Sequence, residues 1–123
     1  MLAKKGCAPE VAAQVIERLK IERLLSDERF IESVIAARRR RGYGPLRVRQ
    51  ELEQKGIPKE TIERRLDAAG REWIELLQQV RRKKFGAKPP KSYPARAKQA
   101  RFLQSRGFTF DQIQRILNVR DID

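Results

Sequence analysis

The chain has 123 residues, of which 37% are charged, and its formal net charge of +13 points to an anionic partner such as nucleic acid or an acidic protein surface. The single cysteine excludes an intramolecular disulfide, and the absence of histidine excludes histidine-based metal sites, triads and general bases. No apolar run approaches the roughly 20 residues of a membrane span, so we expect a cytoplasmic, mostly helical protein without metal or cofactor.

Helix signals begin near the N-terminus. Pro9 suits the first turn of a helix, and Val15, Ile16 and Leu19 would share one face of it. The segment Ser26-Asp27-Glu28 predicts the start of another helix, because a hydroxyl cap and two carboxylates suit a positive helix end. This second helix is predicted to continue to a run of four arginines.

A corner follows the arginines. Gly42 and Gly44 permit backbone angles that other residues resist, and Pro45 is pre-set for the first turn of a helix. The next helix is predicted to bury Leu46 and Leu52 and to end at a glycine.

The remaining elements are also helical. A helix from Pro58 to Ala69 precedes one that carries Trp73 in the core, and a loop with one glycine and two prolines spans Phe85–Tyr93. A basic helix then runs through Arg106. Thr109 and Gln112 have capping-box spacing and open the last helix.

An internal repeat sets the expected architecture. Gly6, Gly56 and Gly107 lie 50 and then 51 residues apart, each with a leucine four residues before it. We therefore predict an all-α fold of tandem three-helix repeats that form an elongated, curved molecule. Residues 1–25 would be the remnant of a first repeat, 26–70 the second repeat, and 71–123 the third, with the basic loop 85–93.

The sequence offers two basic stretches as candidate binding surfaces. Between Leu76 and Phe110 there are ten basic residues and no acidic residue, so this segment lacks internal counter-charges. The other stretch is the arginine corner, where arginine suits bidentate contacts with carboxylates or phosphates. The candidate partner- and DNA-binding residues are Arg38, Arg39, Arg40, Arg41, Tyr43, Arg47, Arg49, Gln50, Arg81, Arg82, Lys83, Lys84, Arg96, Lys98 and Arg101.

Structural roles compete with these assignments. Cations at the C-terminal end of a helix are also stabilised by the negative end of the helix dipole, which accounts for one or two of the four arginines. Tyr43 is equally explained as a contact residue or as a half-buried lid on the helix junction. A DNA-reading helix-turn-helix is disfavoured, because its recognition helix would be the electrically balanced segment 59–70. We find no group of residues that would support an enzyme.

The sequence resembles the RecX family, the regulators of RecA recombinase. The similarity is firmest in RGYGPLRVRQELEQKGI (Arg41–Ile57) and AKQARFLQSRGFTFDQIQRIL (Ala97–Leu117) and covers nearly the whole chain. It implies a monomeric modulator, mainly an inhibitor, that lies in the groove of the RecA–DNA filament. Such a protein would suppress ATP hydrolysis, strand exchange and filament growth, and would bind single- or double-stranded DNA more weakly by itself. The alternative is a free-standing nucleic-acid-binding helical module, whose binding would weaken more steeply with salt.

Overall fold

The computed structural model describes residues 9–68 and 70–119, and in these ranges it contains helices and connecting segments but no strand. Gly6, the first glycine of the predicted repeat, lies outside the described residues, whereas residues 9–25 of the predicted first copy belong to the first helix. The helices are α1 (Pro9–Arg40), α2 (Pro45–Gln54), α3 (Lys59–Ala68), α4 (Gly70–Phe85), α5 (Tyr93–Ser105) and α6 (Phe110–Leu117).

The first helix is longer than predicted. The expected start at Ser26 is wrong, because α1 continues through this residue without a break for 32 residues. The segment before Ser26 consists of Leu, Lys, Glu, Arg and Ile, with neither glycine nor proline to interrupt a helix. Ser26 therefore does not cap a helix, because the backbone around it already belongs to the preceding turns of α1.

The helices form two units with the same arrangement. The N-terminal unit contains α1, α2 and α3, and the C-terminal unit contains α4, α5 and α6; within each unit, every helix contacts the other two. The prediction of an all-α fold with tandem three-helix repeats is thus confirmed.

Buried side chains from both units join one hydrophobic cluster. Trp73, Ile62 and Leu66 are buried as predicted, whereas Leu46 was predicted to point inward and is 38% exposed. The buried face of α2 instead carries Pro45, Val48 and Leu52, whose spacing of three and four residues places them on one side of the helix. Leu46 lies on the adjoining face.

Three helices end in the same backbone motif. Gly42, Gly56 and Gly107 have positive φ angles of 79°, 81° and 96°. Each glycine N–H donates at 3.0 Å to the carbonyl three residues earlier, and the next residue donates at 3.0–3.2 Å to the carbonyl five residues earlier. These paired bonds are the Schellman motif, which glycine permits because it has no Cβ. The equivalent ends of α2 and α5 agree with the predicted repeat alignment of Gly56 and Gly107.

The two units meet at a close contact, here called the seam, between residues 44–47 and residues 105–108. Gly44 N–H donates to the Arg106 carbonyl at 2.8 Å, and Leu46 N–H donates to the Gly107 carbonyl at 2.9 Å. A Cβ on Gly44 would lie 2.7 Å from the Gly107 backbone. The start of α2 thus sits on the end of α5, where free N–H groups meet free carbonyls and the helix dipoles align favourably.

The N-terminal part of α1 does not share this core. Ile16, Leu19, Ile21 and Leu25 are each at least 50% exposed. The buried residues of α1 are Ile31, Val34 and Ile35, all in its C-terminal part. Among the described residues, the predicted apolar face around Ile16 and Leu19 therefore contributes nothing to the hydrophobic cluster.

Candidate functional site

The four arginines at the end of α1 point to different neighbours. Arg38 Nε lies 2.7 Å from Glu51 Oε1, and Arg39 Nη1 lies 2.8 Å from Glu72 Oε2. The hydrogen bond with Glu51 raises the pKa of Arg38 above its ordinary value. Arg40 and Arg41 are exposed, and neither forms an ion pair within residues 9–68 and 70–119. Two cations of the run are therefore neutralised and two keep an unshared charge.

Tyr43 holds two arginines that come from different units. The guanidinium carbon of Arg47 lies 4.3 Å from the centre of the Tyr43 ring, and that of Arg106 lies 5.2 Å from it. Cation–π contacts of this length are attractive. The half-buried ring is already engaged by these cations, which favours the interpretation of Tyr43 as a lid that positions them.

The same two arginines also cross the seam in opposite directions. Arg47 Nη1 donates to the Ser105 carbonyl at 3.2 Å, and Arg106 Nη1 donates to the Arg41 carbonyl at 3.3 Å. Both carbonyls lie at the C-terminal end of a helix, where cations are favoured by the helix dipole. The seam therefore fixes the direction of both side chains.

The other predicted residues of α2 differ in their roles. Arg49 Nε lies 2.8 Å from Glu63 Oε1, and Arg49 Nη2 donates to Glu63 Oε2 at 3.0 Å, which ties α2 to α3. Gln50 is exposed and lines a hollow of about 360 Å³ beside Arg41 and Arg47. Arg49 thus has a structural partner, whereas Gln50 is open to a ligand.

The four cations at the end of α4 also differ in their burial and their neighbours. Arg81 is only 7% exposed and its Nη1 donates to Gln99 Oε1 at 3.4 Å, so this predicted contact residue lies in the interior. Arg82 and Lys83 are exposed. Lys84 is exposed too, with its Nζ 5.4 Å from the centre of the Phe102 ring. The helical spacing of 100° per residue explains the separation, because one of four consecutive positions faces α5.

The predicted residues of α5 differ in their exposure. Arg96 is half-buried with its guanidinium carbon 5.6 Å from the centre of the Tyr93 ring, while Lys98 and Arg101 are exposed. All three add positive charge to the C-terminal unit.

Between the two units lies a hollow of about 420 Å³, here called the seam cleft. Its cationic residues come from the end of α1, from α4 and from the turn after α5, and no acidic residue of the described ranges lines it. Apolar side chains from α4 and α5 complete the walls. The lining cations are Arg39, Arg40, Arg41, Lys83, Lys84 and Arg106, and the apolar residues are Leu76, Val80 and Phe102.

Four residues of this site are not among those predicted from the sequence: Arg106, Phe102, Leu76 and Val80. Arg106 had one usable signal, since it precedes Gly107 as Arg41 precedes Gly42, and a cation before a terminal glycine lies near the exposed helix end. The apolar residues gave no such signal, because their spacing is that of ordinary core positions.

The described residues contain no group of three or more histidine, cysteine, aspartate or glutamate side chains that could hold a metal ion. None of the helices in this part of the chain is both long and apolar enough to span a bilayer. The seam cleft places several cations beside an apolar wall. That arrangement suits binding of an anionic group.

Comparison with known proteins identifies both three-helix units. A family model described as RecX, second three-helix domain, matches residues 26–66, and one described as RecX, third three-helix domain, matches residues 71–117. The predicted division of the chain at residues 25 and 70 lies close to these matches but remains a prediction.

Whole-chain relatives carry the same family name. The chain is 41% identical over 122 residues to regulatory protein RecX of Pseudomonas fluorescens and 42% identical to that of Pseudomonas syringae pv. tomato. Each alignment covers 99% of this chain and 79% of the relative. Regulatory protein RecX of Pseudomonas putida is 39% identical over 122 residues, with 99% of this chain and 78% of the relative covered.

Proposed function

The chain belongs to the RecX family, and from this premise we propose that it regulates a RecA recombinase, mainly as an inhibitor. In this proposal it binds in the groove of the RecA–DNA filament and suppresses ATP hydrolysis, strand exchange and filament growth. It acts as a monomer in the cytoplasm, without a cofactor and without chemistry of its own. The name of the relatives, regulatory protein RecX, supports the role of a modulator.

The observation that carries the proposal is the set of unpaired cations on both sides of the seam. Arg40 and Arg41 of the N-terminal unit and Lys83 of the C-terminal unit are exposed and line the same cleft, to which no described carboxylate contributes. Like charges brought together in this way cost stability unless an anion binds to them. A filament groove presents both DNA phosphates and acidic protein surface, and either would supply the missing counter-charge.

The contacts that we propose are the exposed amide, the exposed cations and two half-buried arginines, Arg96 and Arg106. The paired residues Arg38, Arg39 and Arg49 would instead hold the scaffold, Tyr43 would position its two arginines, and the buried Arg81 is left out of the contact surface. The proposed contacts with filament or DNA are Arg40, Arg41, Arg47, Gln50, Arg82, Lys83, Lys84, Arg96, Lys98, Arg101 and Arg106.

The internal ion pairs of α3 argue against a groove-reading helix-turn-helix. Arg65 of this helix pairs with Glu32 of α1, and Glu63 pairs with Arg49 of α2. Side chains that a recognition helix would direct to bases and phosphates therefore bind the chain itself. This supports a scaffold role for α3 and favours the seam as the partner surface.

The proposal is tested by titrating RecA ATP hydrolysis on single-stranded DNA with this protein at near-physiological salt. A binding curve with the same DNA and no recombinase is measured in parallel. We expect inhibition at protein concentrations well below those that coat bare DNA. Inhibition that begins only where the bare DNA is already coated would contradict the proposal and favour a free-standing nucleic-acid-binding module.

A further inference from the structure

The seam cleft has the size and the lining of a small-molecule site. Its volume of about 420 Å³ falls within the range of roughly 300–1,000 Å³ that is usual for ligand pockets. It lies where two units meet, which is a common position for such pockets. A surface that served only to hold charge in solution would need no concave shape.

The cations of the cleft are partly fixed before any ligand arrives. Arg106 is held by its hydrogen bond to the Arg41 carbonyl and by its position 5.3 Å from the centre of the Phe102 ring. Lys84 lies 5.4 Å from the same ring. These contacts leave the positive charges uncompensated, because a carbonyl and an aromatic face carry no net charge. An anion bound here would lose less affinity to the ordering of side chains.

The cations converge on one small volume from three separate elements. Arg40 and Arg41 approach from the end of α1, Lys83 and Lys84 from α4, and Arg106 from the turn after α5. A single carboxylate side chain would occupy only one or two of them. A chain of phosphates carries several charges and many acceptor oxygens in a comparably short length, and it matches this density of donors.

The apolar part of the lining further restricts the class of ligand that the cleft could bind. Leu76, Val80 and Phe102 face the same cleft as the cations. A bare inorganic anion would gain nothing from them, whereas a nucleobase or sugar would bury its apolar surface there. The ligand class that uses both parts is a nucleotide.

We propose that the seam cleft binds a nucleotide, with its phosphates on Lys83, Lys84, Arg40 and Arg106 and its base or sugar against Val80 and Phe102. The nucleotide is a free nucleoside triphosphate, because such a ligand presents directly linked phosphates together with a base, whereas the phosphates of a nucleic-acid strand are separated by sugars. This goes beyond the proposed function, which concerns contacts with the RecA filament and with DNA and not a free nucleotide. The two proposals can therefore fail separately.

The test is an amide NMR titration of the full chain without RecA. The probes are ATP, inorganic triphosphate and a thymidine oligonucleotide of roughly ten nucleotides, a length within the usual span of single-strand sites. We expect shifts concentrated at the cleft residues, and tighter binding of ATP than of triphosphate, which carries at least as much charge but has no base. Shifts from the oligonucleotide alone, at the same residues, would contradict the inference, because they would show DNA binding and not binding of a free nucleotide.

Matched variants separate the cleft from general charge. Lys83→Ala with Lys84→Ala should weaken binding at least about tenfold, the loss expected for one charged hydrogen bond. Arg40→Ala removes a cation from the opposite side of the cleft and should also weaken binding. The control, Lys88→Ala with Lys91→Ala, removes the same charge from the exposed loop and should change affinity by less than about twofold.

Three results would overturn the inference. These are an absence of ATP binding, triphosphate binding as tight as ATP binding, and a loss in the loop control as large as the loss in the cleft variant. The NMR spectrum of each variant also reports whether it is folded. Should Lys83→Ala with Lys84→Ala fail to fold, Arg40→Ala decides the question, since no described side chain pairs with Arg40.

Discussion

The two three-helix units share a backbone plan but treat their positive charges in opposite ways. In the N-terminal unit, Arg38, Arg49 and Arg65 each pair with a glutamate of another helix of the same unit. In the C-terminal unit, the segment 76–110 contains no acidic residue. Some of its cations contact an aromatic ring or an amide instead, as Lys84 does with Phe102 and Arg81 with Gln99.

This difference shows how one scaffold separates structure from binding. Ion pairs between helices neutralise Arg38, Arg49 and Arg65 of the N-terminal unit and help to fix its geometry, although partly exposed pairs each contribute only about 0–1 kcal/mol. In the C-terminal unit, contacts with rings or an amide hold Lys84, Arg106 and Arg81 without neutralising them. The seam then brings the unpaired charges of Arg40 and Arg41 next to those of Lys83 and Lys84.

The largest effect on stability is expected at Gly107, the glycine of the seam. Gly107→Ala should lower the free energy of unfolding by roughly 2–4 kcal/mol, because a left-handed backbone disfavours a Cβ and the new atom would lie 2.9 Å from the Arg47 backbone nitrogen. Urea unfolding measures this loss.

Gly56→Ala is the matched control for this substitution. Gly56 occupies the equivalent Schellman position with φ of 81°, but no atom lies within 4 Å of the place that the new methyl group would take. It should cost only the backbone term of about 1–2 kcal/mol. Equal losses in the two variants would show that the seam contributes nothing to stability beyond the local turn.

These two glycines also show how far the sequence could predict the fold. The spacing of Gly56 and Gly107 gave the repeat, the helix ends and the all-α class, because a Schellman motif depends on local residues. It could not show that Gly107 has a tight neighbour while Gly56 has none, since that contact joins residues about sixty positions apart. The continuous α1 was missed for the opposite reason, because a local cap signal at Ser26 was overridden by the strong helix formers before it.

Arg81, the buried cation of the C-terminal unit, tests whether an arginine without a carboxylate partner stabilises that unit. Arg81→Met combined with Gln99→Leu should leave the free energy of unfolding unchanged or raise it by up to about 2 kcal/mol. Both partners of a long 3.4 Å hydrogen bond are replaced together by apolar side chains of similar size, and a buried charge without a carboxylate is removed. Urea unfolding and the near-ultraviolet spectrum of the single tryptophan would follow the change. A loss of more than about 1 kcal/mol would mean that Arg81 stabilises this unit.

The smallest expected effect comes from an ion pair of the N-terminal unit. A double-mutant cycle with Arg49→Ala and Glu63→Ala should give a coupling energy of about 0.2–1 kcal/mol, because both side chains are about one third exposed. The coupling should decrease between about 0.1 and 1 M salt as charges are screened. A coupling that does not change with salt would show that packing, and not charge, joins α2 to α3 here.

The candidate site was only partly predictable from the sequence. Charge density alone pointed to Arg40, Arg41, Lys83 and Lys84, and they do lie around one cleft. The sequence could not separate them from Arg38 and Arg39, whose glutamate partners are thirteen and thirty-three residues away. Nor could it separate Arg81 from its neighbours, since the direction of a helical side chain becomes decisive only when the packed neighbour is known.

The most direct test of the central claim compares charge reversal at the seam with charge reversal in the loop. Arg40→Glu with Lys83→Glu and Lys88→Glu with Lys91→Glu change the net charge equally, and all four side chains are exposed. Both proteins are titrated into RecA ATP hydrolysis on single-stranded DNA. We predict that the seam variant loses inhibition by at least about tenfold while the loop variant stays within about threefold of the parent. Equal losses would show that total charge alone determines the activity and would contradict the account.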